Sequence, residues 1–428
     1  MLTLLIIADD FTGALDTGVQ FAASGAVTRV VTDIHYDYSQ VDEKVKVLVM
    51  DAETRHLESK EAYAIVYNIT QKAIQYGIPF IYKKTDSALR GNIGSELTAV
   101  LDATGKKSLS FFPAFPKMGR ITKHGIHYID GIPVDESVFG KDPYEPVICS
   151  YIPELIQLQS KVKVSLEEEG SCPMIVTDDH QIIVWDAQTD EQLEMLGRNL
   201  YKKDELHIMA GCAGFASVLP KLLGLEGSLM EIPSFVQRFL VVCGSVNPIT
   251  VSQLDYAQSH NFFRIGMSSE EKLEERYWKS EEGKKKLDYL KELIESKSCS
   301  ILDSNDVPGV NSTKKYAEEH LIDTDEIRVC IAKNLGYIVK ELLKRGLKAT
   351  IMITGGDTLI GCMNQMGVYE MEPICEMAPG IVISRFNIQD VECHVISKSG
   401  GFGGEQLLTE LAEQILTVHT NKNLEDLK

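Results

Sequence analysis

Apolar segments of strand length alternate with helical patterns through the first 115 residues of the chain. The first segment, LTLLIIA, precedes a helical stretch from about Gly13 to Ala23, and the same order recurs as far as SLSFFPAFP at residues 108–116. This order is typical of crossover units, which build a mostly parallel sheet covered by helices on both faces. We therefore predict an α/β fold.

A break in this pattern near residues 225–235 divides the chain. A glycine and a proline interrupt the alternation there, and a new apolar strand begins at RFLVVCGS. We predict two domains, residues 1–228 and residues 229–428, each with a mostly parallel sheet and helices on both faces. The later part of the first domain is less regular, although MIVTD and QIIVWDA have the pattern of strands.

The charge and hydropathy of the chain restrict its partners. The formal net charge is −19 at pH 7, which opposes binding to nucleic acid because a phosphate backbone requires a basic surface. An anionic small molecule would need a local basic cluster. The apolar segments are shorter than the roughly 20 residues that cross a bilayer, and the N-terminus lacks signal-peptide features. We expect a cytoplasmic protein without nucleic-acid or membrane partners, and a homodimer stays open.

Polar side chains follow three apolar strands of the first half. They lie in ADD at residues 8–10, in DAETR at 51–55 and in KKTDSALRGN at 83–92. In a doubly wound sheet, ligands bind outside the carboxyl ends of the strands. Arginine and lysine clamp carboxylates, and aspartate accepts hydrogen bonds from hydroxyls. The predicted ligand is a small polyhydroxylated acid, and the predicted contacts are Asp10, Arg55, Lys84, Asp86, Ser87 and Arg90.

A simpler interpretation applies to each of these residues alone. Asp9 or Asp10 would cap the helix that begins nearby, and Asp86 with Ser87 would close a turn. Capping does not account for DAETR or for the basic residues around Asp86, so the two interpretations stay open together.

The segment at residues 112–134 is rich in glycine and proline and contains Arg120, His124 and His127. We expect an ordered loop that closes over the polar cluster and brings Arg120 to the ligand. The spacing of the two histidines permits a metal site, but no partner carboxylate is predicted nearby.

Three strand–turn–helix segments of the second half carry glycine in the turn. They are LVVCGSVNP, IMITGGDTL at residues 351–359 and VISKSGGFGGEQLL at 395–408. Glycine lets backbone N–H groups approach an anion, and a helix N-terminus offers free donors. None of the three matches the Walker A motif or G-x-G-x-x-G, and single turns of this kind are common connectors. Three in one domain indicate a nucleotide site.

The motifs of both halves, taken in order, resemble those of the four-carbon acid sugar kinases. The matching segments are IADDFTGALDTGVQFA, DAETR, KKTDSALRGN, PAFPKMGR, GIHYIDGIPV, TGGDT and KSGGFG. The resemblance implies a sugar-acid-binding N-terminal domain and a nucleotide-binding C-terminal domain. It implies phosphorylation of the terminal hydroxyl of D-threonate, D-erythronate or an oxo-tetronate with ATP and Mg²⁺. The ATP contacts that it implies are Ser245, Gly355, Gly356, Asp357, Thr358, Gly400, Gly401 and Gly403.

Phosphoryl transfer needs alignment and charge neutralisation more than covalent chemistry by the protein. In our hypothesis Arg55, Lys84 and Arg90 hold the acid, while Asp10 orients the reacting hydroxyl and receives its proton. Asp357 positions Mg²⁺ directly or through water. Two other functions stay open: a nicotinamide-dependent oxidoreductase, which the missing G-x-G-x-x-G disfavours, and a non-catalytic sugar-acid sensor.

Overall fold

The computed structural model describes residues 2–142, 145–167, 180–307, 309–389 and 391–417. The chain forms two compact units, Met1–Met230 and Glu231–Lys428. The predicted strand MIVTD lies outside the described residues.

The first unit contains eleven strands and seven α-helices in the part of the chain that is described. The strands are β1 (Leu4–Ala8), β2 (Thr28–Val31), β3 (Val47–Asp51), β4 (Phe80–Lys84), β5 (Ser108–Phe112), β6 (Arg120–Lys123), β7 (Ile126–Ile129), β8 (Ile132–Pro133), β9 (Lys163–Glu167), β10 (Gln181–Trp185) and β11 (Ile208–Gly211). The helices are α1 (Phe11–Ala22), α2 (Ser59–Tyr76), α3 (Ile93–Thr104), α4 (Ile152–Gln157), α5 (Asp190–Lys202), α6 (Ala213–Ala216) and α7 (Leu219–Leu222).

The second unit contains seven strands and eight α-helices over its described residues. The strands are β12 (Phe239–Cys243), β13 (Phe263–Gly266), β14 (Cys299–Asp303), β15 (Thr350–Thr354), β16 (Glu370–Ala378), β17 (Ile381–Ile388) and β18 (Val391–Lys398). The helices are α8 (Pro248–Ser259), α9 (Ser269–Leu273), α10 (Glu275–Lys279), α11 (Glu281–Glu295), α12 (Ser312–Glu319), α13 (Thr324–Lys344), α14 (Gly356–Met366) and α15 (Leu407–Thr417).

The sheet of the first unit is parallel throughout, in the order β2-β3-β1-β4-β11-β5-β10-β9. Strands β1 and β3 are buried along their whole length. Strands covered on both faces have continuous apolar sequences, which explains LLIIA and VLVM. The register sets Ala8 opposite both Asp51 and Lys84, so the carboxyl ends of β1, β3 and β4 lie side by side.

In the second unit the order is β13-β14-β12-β15-β18-β17-β16. The first five strands pair in parallel, whereas β18, β17 and β16 pair antiparallel. Thr354 lies opposite Cys243 on one side and Lys398 on the other, which aligns the ends of β12, β15 and β18. The predicted α/β fold with mostly parallel sheets is confirmed. The antiparallel strands β16 and β17 were not predicted.

Residues 112–134 differ from the expected loop, because β6, β7 and β8 form a small antiparallel sheet there. Tight turns at His124–Gly125 and Asp130–Gly131 connect these strands, and all four residues have positive φ angles. The glycines of this segment thus reverse the chain between short strands. Across the described residues, no helix is both long and apolar enough to span a membrane.

Candidate active site

Asp9 is the buried member of the aspartate pair at the end of β1. Its carboxylate accepts a hydrogen bond from Arg55 Nε at 2.7 Å and lies 3.4 Å from Lys84 Nζ. Burial alone would raise the pKa of Asp9, but the charges of Arg55 and Lys84 lower it far below its usual value. Asp9 therefore stays ionised and holds both cations at the sheet edge.

Asp10 is the outward member of the pair and has two structural roles. As the N-cap of α1, its Oδ1 accepts from Gly13 N at 3.1 Å, and Oδ2 accepts from Thr12 Oγ1 at 2.7 Å. Oδ1 also accepts from Arg55 Nη2 at 2.6 Å. The capping interpretation and the cluster interpretation both hold for this residue, since one carboxylate makes both sets of contacts.

Arg55 and Lys84 are buried cations that share the same carboxylates. Arg55 Nη2 lies 3.5 Å from Asp86, and Lys84 Nζ lies 3.8 Å from Asp10. Burial lowers the pKa of each cation, but the surrounding aspartates outweigh it and raise both values. Both side chains are therefore charged at neutral pH and are paired with the aspartates of the cluster.

Gly13 makes room for Lys84. A Cβ atom at this position would lie 2.2 Å from Lys84 Nζ and 2.4 Å from Asp10 Oδ1. A side chain here would displace the ammonium group from the cluster. The glycine in DDFTGAL is therefore part of the site, although the sequence analysis assigned it only to the helix.

Asp86 and Arg90 form the second half of the cluster, in the loop after β4. Arg90 donates two hydrogen bonds to the Asp86 carboxylate, from Nε at 3.0 Å and from Nη2 at 2.9 Å. Asp86 also accepts from Ala88 N at 3.0 Å. Burial opposes ionisation, but Arg90 and Arg55 hold the pKa of Asp86 well below its usual value. This bidentate pair gives the loop a fixed geometry.

Arg120 reaches the cluster from the first residue of β6. It donates a hydrogen bond to Ser87 Oγ, and its guanidinium lies 5.3 Å from the ring centre of Phe139. Arg90 lies at the same distance from that ring, so one phenyl group orients two guanidinium groups. Phe139 was missed by the sequence analysis because no local pattern connects it to either arginine.

His127 is fully buried and contacts the backbone of the loop after β4. Its Nε2 lies 3.0 Å from Ser87 O and its Nδ1 lies 3.1 Å from Thr122 Oγ1. Because a carbonyl can only accept, Nε2 carries the proton. Burial lowers the pKa of His127 to about 4, so the ring is neutral. Among the described residues, no three His, Cys, Asp or Glu side chains group as metal ligands, and His127 already bonds through both nitrogens.

Asp51 was not predicted as a site residue. It ends β3 and is buried; its Oδ1 accepts from Glu53 N at 3.3 Å, and its Oδ2 has no hydrogen-bond partner among the described residues. Burial and the charges of Glu53 and Asp10 raise the pKa of Asp51 well above its usual value. Its surroundings therefore favour the protonated form of Asp51, in contrast to Asp9 and Asp86.

Three glycine-containing turns meet at Ser245 in the second unit. A Cβ at Gly400 would lie 2.8 Å from Ser245 Oγ, and one at Gly355 would lie 3.4 Å from Ser245 Cβ. Thr250 Oγ1 donates to Gly400 O at 2.9 Å. The turns after β12, β15 and β18 are therefore close neighbours at the carboxyl edge of this sheet.

The turn after β15 leads into α14 with free donors. Gly355 is the N-cap of α14, has a φ of 102° and provides no side-chain cap. The first N–H groups of a helix have no intrahelical acceptor and favour an anion. Thr358 is buried in this first turn. Asp357 pairs with Arg328 Nη1 at 2.9 Å, so its role toward Mg²⁺ stays a prediction.

The loop at residues 399–404 is held by two buried side chains that the sequence analysis missed. Gln253 Nε2 donates to the carbonyls of Phe402, Gly403 and Gly404 at 2.9–3.0 Å. Lys398 Nζ lies 3.0 Å from Ser399 O and 3.2 Å from Thr250 Oγ1. Lys398 is the last residue of β18, so the strand-end rule that identified the first cluster would have found it.

Asn305 extends this edge beyond β14. Its Nδ2 donates to Ser245 O at 3.1 Å and to Asp303 Oδ1 at 2.8 Å. Arg264 donates to the other oxygen of Asp303 at 2.7 and 2.9 Å. The loop after β14 therefore fixes the backbone of Ser245 through Asn305.

In the comparison with known proteins, two family models match the chain, one in each unit. Residues 4–219 match the family model described as "Sugar-binding N-terminal domain", and residues 240–408 match "Nucleotide-binding C-terminal domain". A D-threonate kinase of Salmonella typhimurium is 27% identical over 427 residues, covering 95% of this chain and 97% of that protein. A D-erythronate kinase of Heliobacterium modesticaldum is 26% identical and covers 99% of each chain.

Two solved structures share the fold at 20% identity. One, from Salmonella typhimurium, covers 97% of this chain and all of its own with a TM-score of 0.75. The other, from Haemophilus influenzae, covers 96% of this chain and all of its own with a TM-score of 0.68. The family models and curated relatives span both units, and the chain therefore belongs to the four-carbon acid sugar kinase family.

Proposed function

We propose that this protein transfers the terminal phosphoryl group of ATP to the C4 hydroxyl of a four-carbon sugar acid such as D-threonate, D-erythronate or an oxo-tetronate. The observation that carries the proposal is the convergence of Asp10, Arg55 and Lys84 at one sheet edge. A sugar acid needs cations for its carboxylate and acceptors for its hydroxyls, and this edge offers both.

In this proposal the arginines of the cluster have different roles: two bind the substrate and one orients Asp10. Arg90 and Arg120, both next to Phe139, bind the substrate carboxylate. Arg55 contacts Asp9 and Asp10 together, which orients the Asp10 carboxylate. Lys84 neutralises the same pair of aspartates from the other strand and contacts a hydroxyl or the carboxylate of the acid.

Asp10 is the proposed catalytic residue. Its carboxylate accepts hydrogen bonds from Arg55, Thr12 and Gly13, so its direction is fixed before substrate binds. It aligns the C4 hydroxyl and accepts the proton as the new O–P bond forms. Preorganisation of this kind lowers the entropic cost of alignment in the transition state.

For the nucleotide, the proposed contacts are Ser245, residues 355–358 and residues 400–403. The N-terminus of α14 and the glycine turns supply backbone N–H donors for phosphate oxygens. The described residues contain no three-ligand group for a metal, so they do not fit a Mg²⁺ ion held by protein ligands alone. Mg²⁺ belongs to the proposal as part of the substrate MgATP, and no step is assigned to it.

The test is an assay of ADP formation with D-threonate, D-erythronate and 3-oxo-tetronate as acceptors. We expect ADP release that depends on the acid, and a product whose ³¹P signal is split into a triplet by the methylene protons at C4. A product with a doublet signal would place the phosphate on a secondary hydroxyl. Acid-dependent reduction of NAD⁺ without ATP, or acid binding without turnover, would contradict the proposal.

A further inference from the structure

Lys398 is a buried lysine to which the described residues offer no acidic partner. It ends β18, and its side chain has no measurable exposure. Within the part of the chain that the structure describes, its ammonium group contacts only oxygens of Thr250, Ser399 and Gly400, at 3.0–3.4 Å. Other buried lysines of the described residues differ: Lys83 pairs with Glu96 and Lys272 with Asp306. The counter-charge for Lys398 is thus missing from the described structure.

The contacts of Lys398 decide which way the glycine loop faces. In a planar trans peptide the carbonyl and the following N–H point in opposite directions. Lys398 draws the carbonyls of Ser399 and Gly400 toward the buried amine, so the N–H groups of Gly400 and Gly401 point away from it. Neither N–H has a hydrogen-bond acceptor among the described residues. Successive free N–H groups of this kind form a concave anion site.

We propose that Lys398 is a positioning residue for nucleotide phosphate, which aims the N–H groups of Gly400 and Gly401 at the anion and takes up a proton when the anion binds. This inference rests on the proposed function, because it needs a nucleotide at the glycine turns. The phosphate oxygens of the bound nucleotide would supply the negative charge that Lys398 lacks among the described residues.

The surroundings of Lys398 support proton uptake. Burial lowers its pKa to about 7. The facing group on β12 is the thiol of Cys243, whose pKa is raised to about 12 by burial and Asp303, so it stays neutral. The residues next to Lys398 on α8, β15 and β17 are Thr250, Thr354 and Ile381. An anion nearby favours the charged form of the lysine and raises its pKa.

The experiment is calorimetric titration of the full chain with ADP at about pH 8, in buffers of different ionisation enthalpy. In the ADP-free protein Lys398 is expected to be mostly neutral at this pH. Wild-type protein is therefore expected to take up close to one proton for each ADP that binds. Lys398→Met is expected to remove this uptake and weaken ADP binding by about tenfold or more. Lys285→Met, at an exposed position on α11, is the control for loss of one positive charge and is expected to match wild type.

The outcomes separate the two proposals. If wild type phosphorylates tetronates and binds ADP without proton uptake, the role of Lys398 is overturned and the proposed function stands. Unchanged proton uptake in Lys398→Met would also overturn the role of Lys398 and leave the proposed function standing. A purely structural role would weaken ADP binding in the variant without any proton uptake in wild type. If wild type binds no nucleotide at all, both proposals fall. The wild-type measurement decides the matter even if the variant does not fold.

Discussion

Asp9 and Asp10 are adjacent in sequence and have different environments. Asp9 points into the sheet edge and fixes Arg55 and Lys84, whereas Asp10 faces outward with a side chain that is 16% exposed. Alternation of side chains at the end of an extended strand explains the division, because successive residues point to opposite sides. In this chain one carboxylate holds the cations, and we propose that the other contacts the ligand.

Asp10→Asn tests the catalytic role without removing the helix cap. Asparagine caps a helix as well as aspartate does, but it removes the charge that pairs with the buried Arg55 and Lys84, so the melting temperature is expected to fall while the protein stays folded. Turnover is expected to fall by roughly two orders of magnitude, the scale of a lost general base, while ADP affinity stays near that of wild type. Steady-state kinetics and thermal unfolding measure both effects. Undiminished turnover would remove Asp10 from the mechanism.

Gly13→Ala tests whether Lys84 must reach the cluster. The new Cβ would lie 2.2 Å from Lys84 Nζ and 2.4 Å from Asp10 Oδ1. Both are ends of side chains that can shift, so the expected loss of stability is small. The expected loss is in function: KM for the acid rises by about tenfold, equivalent to about 1.4 kcal/mol. Gly266→Ala is the control, since a Cβ there meets no atom within 4 Å. Equal kinetics for both variants would mean that the positions of Lys84 and Asp10 beside Gly13 do not matter for substrate binding.

At the scale of elements, strand ends explain most of the candidate sites. The register that sets Ala8 opposite Asp51 and Lys84 brings three polar segments together, and the same alignment joins the turns after β12, β15 and β18. This convergence was predictable, because parallel strands with helical crossovers share one carboxyl edge. The small sheet of β6, β7 and β8 was not predictable in the same way. Its short strands show little alternation of polar and apolar residues, and they depend on turns with positive φ angles.

Gly400→Ala tests the packing of the glycine turns. Its Cβ would lie 2.8 Å from Ser245 Oγ and 3.2 Å from Asn247 Cβ, which pushes the turns apart. We expect ADP affinity to fall by about tenfold, or about 1.4 kcal/mol, with unchanged affinity for the acid. Gly404→Ala, in the same loop, meets no atom within 4 Å and is expected to behave as wild type. If the two variants bind ADP equally well, close packing at Ser245 does not shape the site.

At the scale of the whole molecule, each of the two units carries its own candidate site. The first unit has a fully parallel sheet with the acidic and basic cluster at one edge. The second has glycine turns, and its strands β16, β17 and β18 pair antiparallel. We propose that the acid binds to the first unit and the nucleotide to the second, in agreement with the descriptions of the two family models.

Hydrogen exchange with each ligand in turn tests this assignment. A bound ligand protects amides whose opening it opposes. A tetronate is expected to slow exchange around residues 9–14, 53–56 and 84–92, and ADP around residues 244–250, 355–359 and 399–404. The deuterium uptake is measured from the masses of peptic peptides. Protection by both ligands within a single unit would contradict the assignment.

The sequence by itself determined the alternation of strands and helices and the polar residues that end the strands, because both are local patterns of hydropathy. Only the tertiary structure decided the partners of those residues: Arg55 between Asp9 and Asp10, Phe139 between two arginines, and Lys398, to which the described residues offer no carboxylate. The contacts of Arg55 and Phe139 join residues that are far apart in the chain. Their pKa values follow from burial and neighbouring charge, and both are properties of the folded molecule alone.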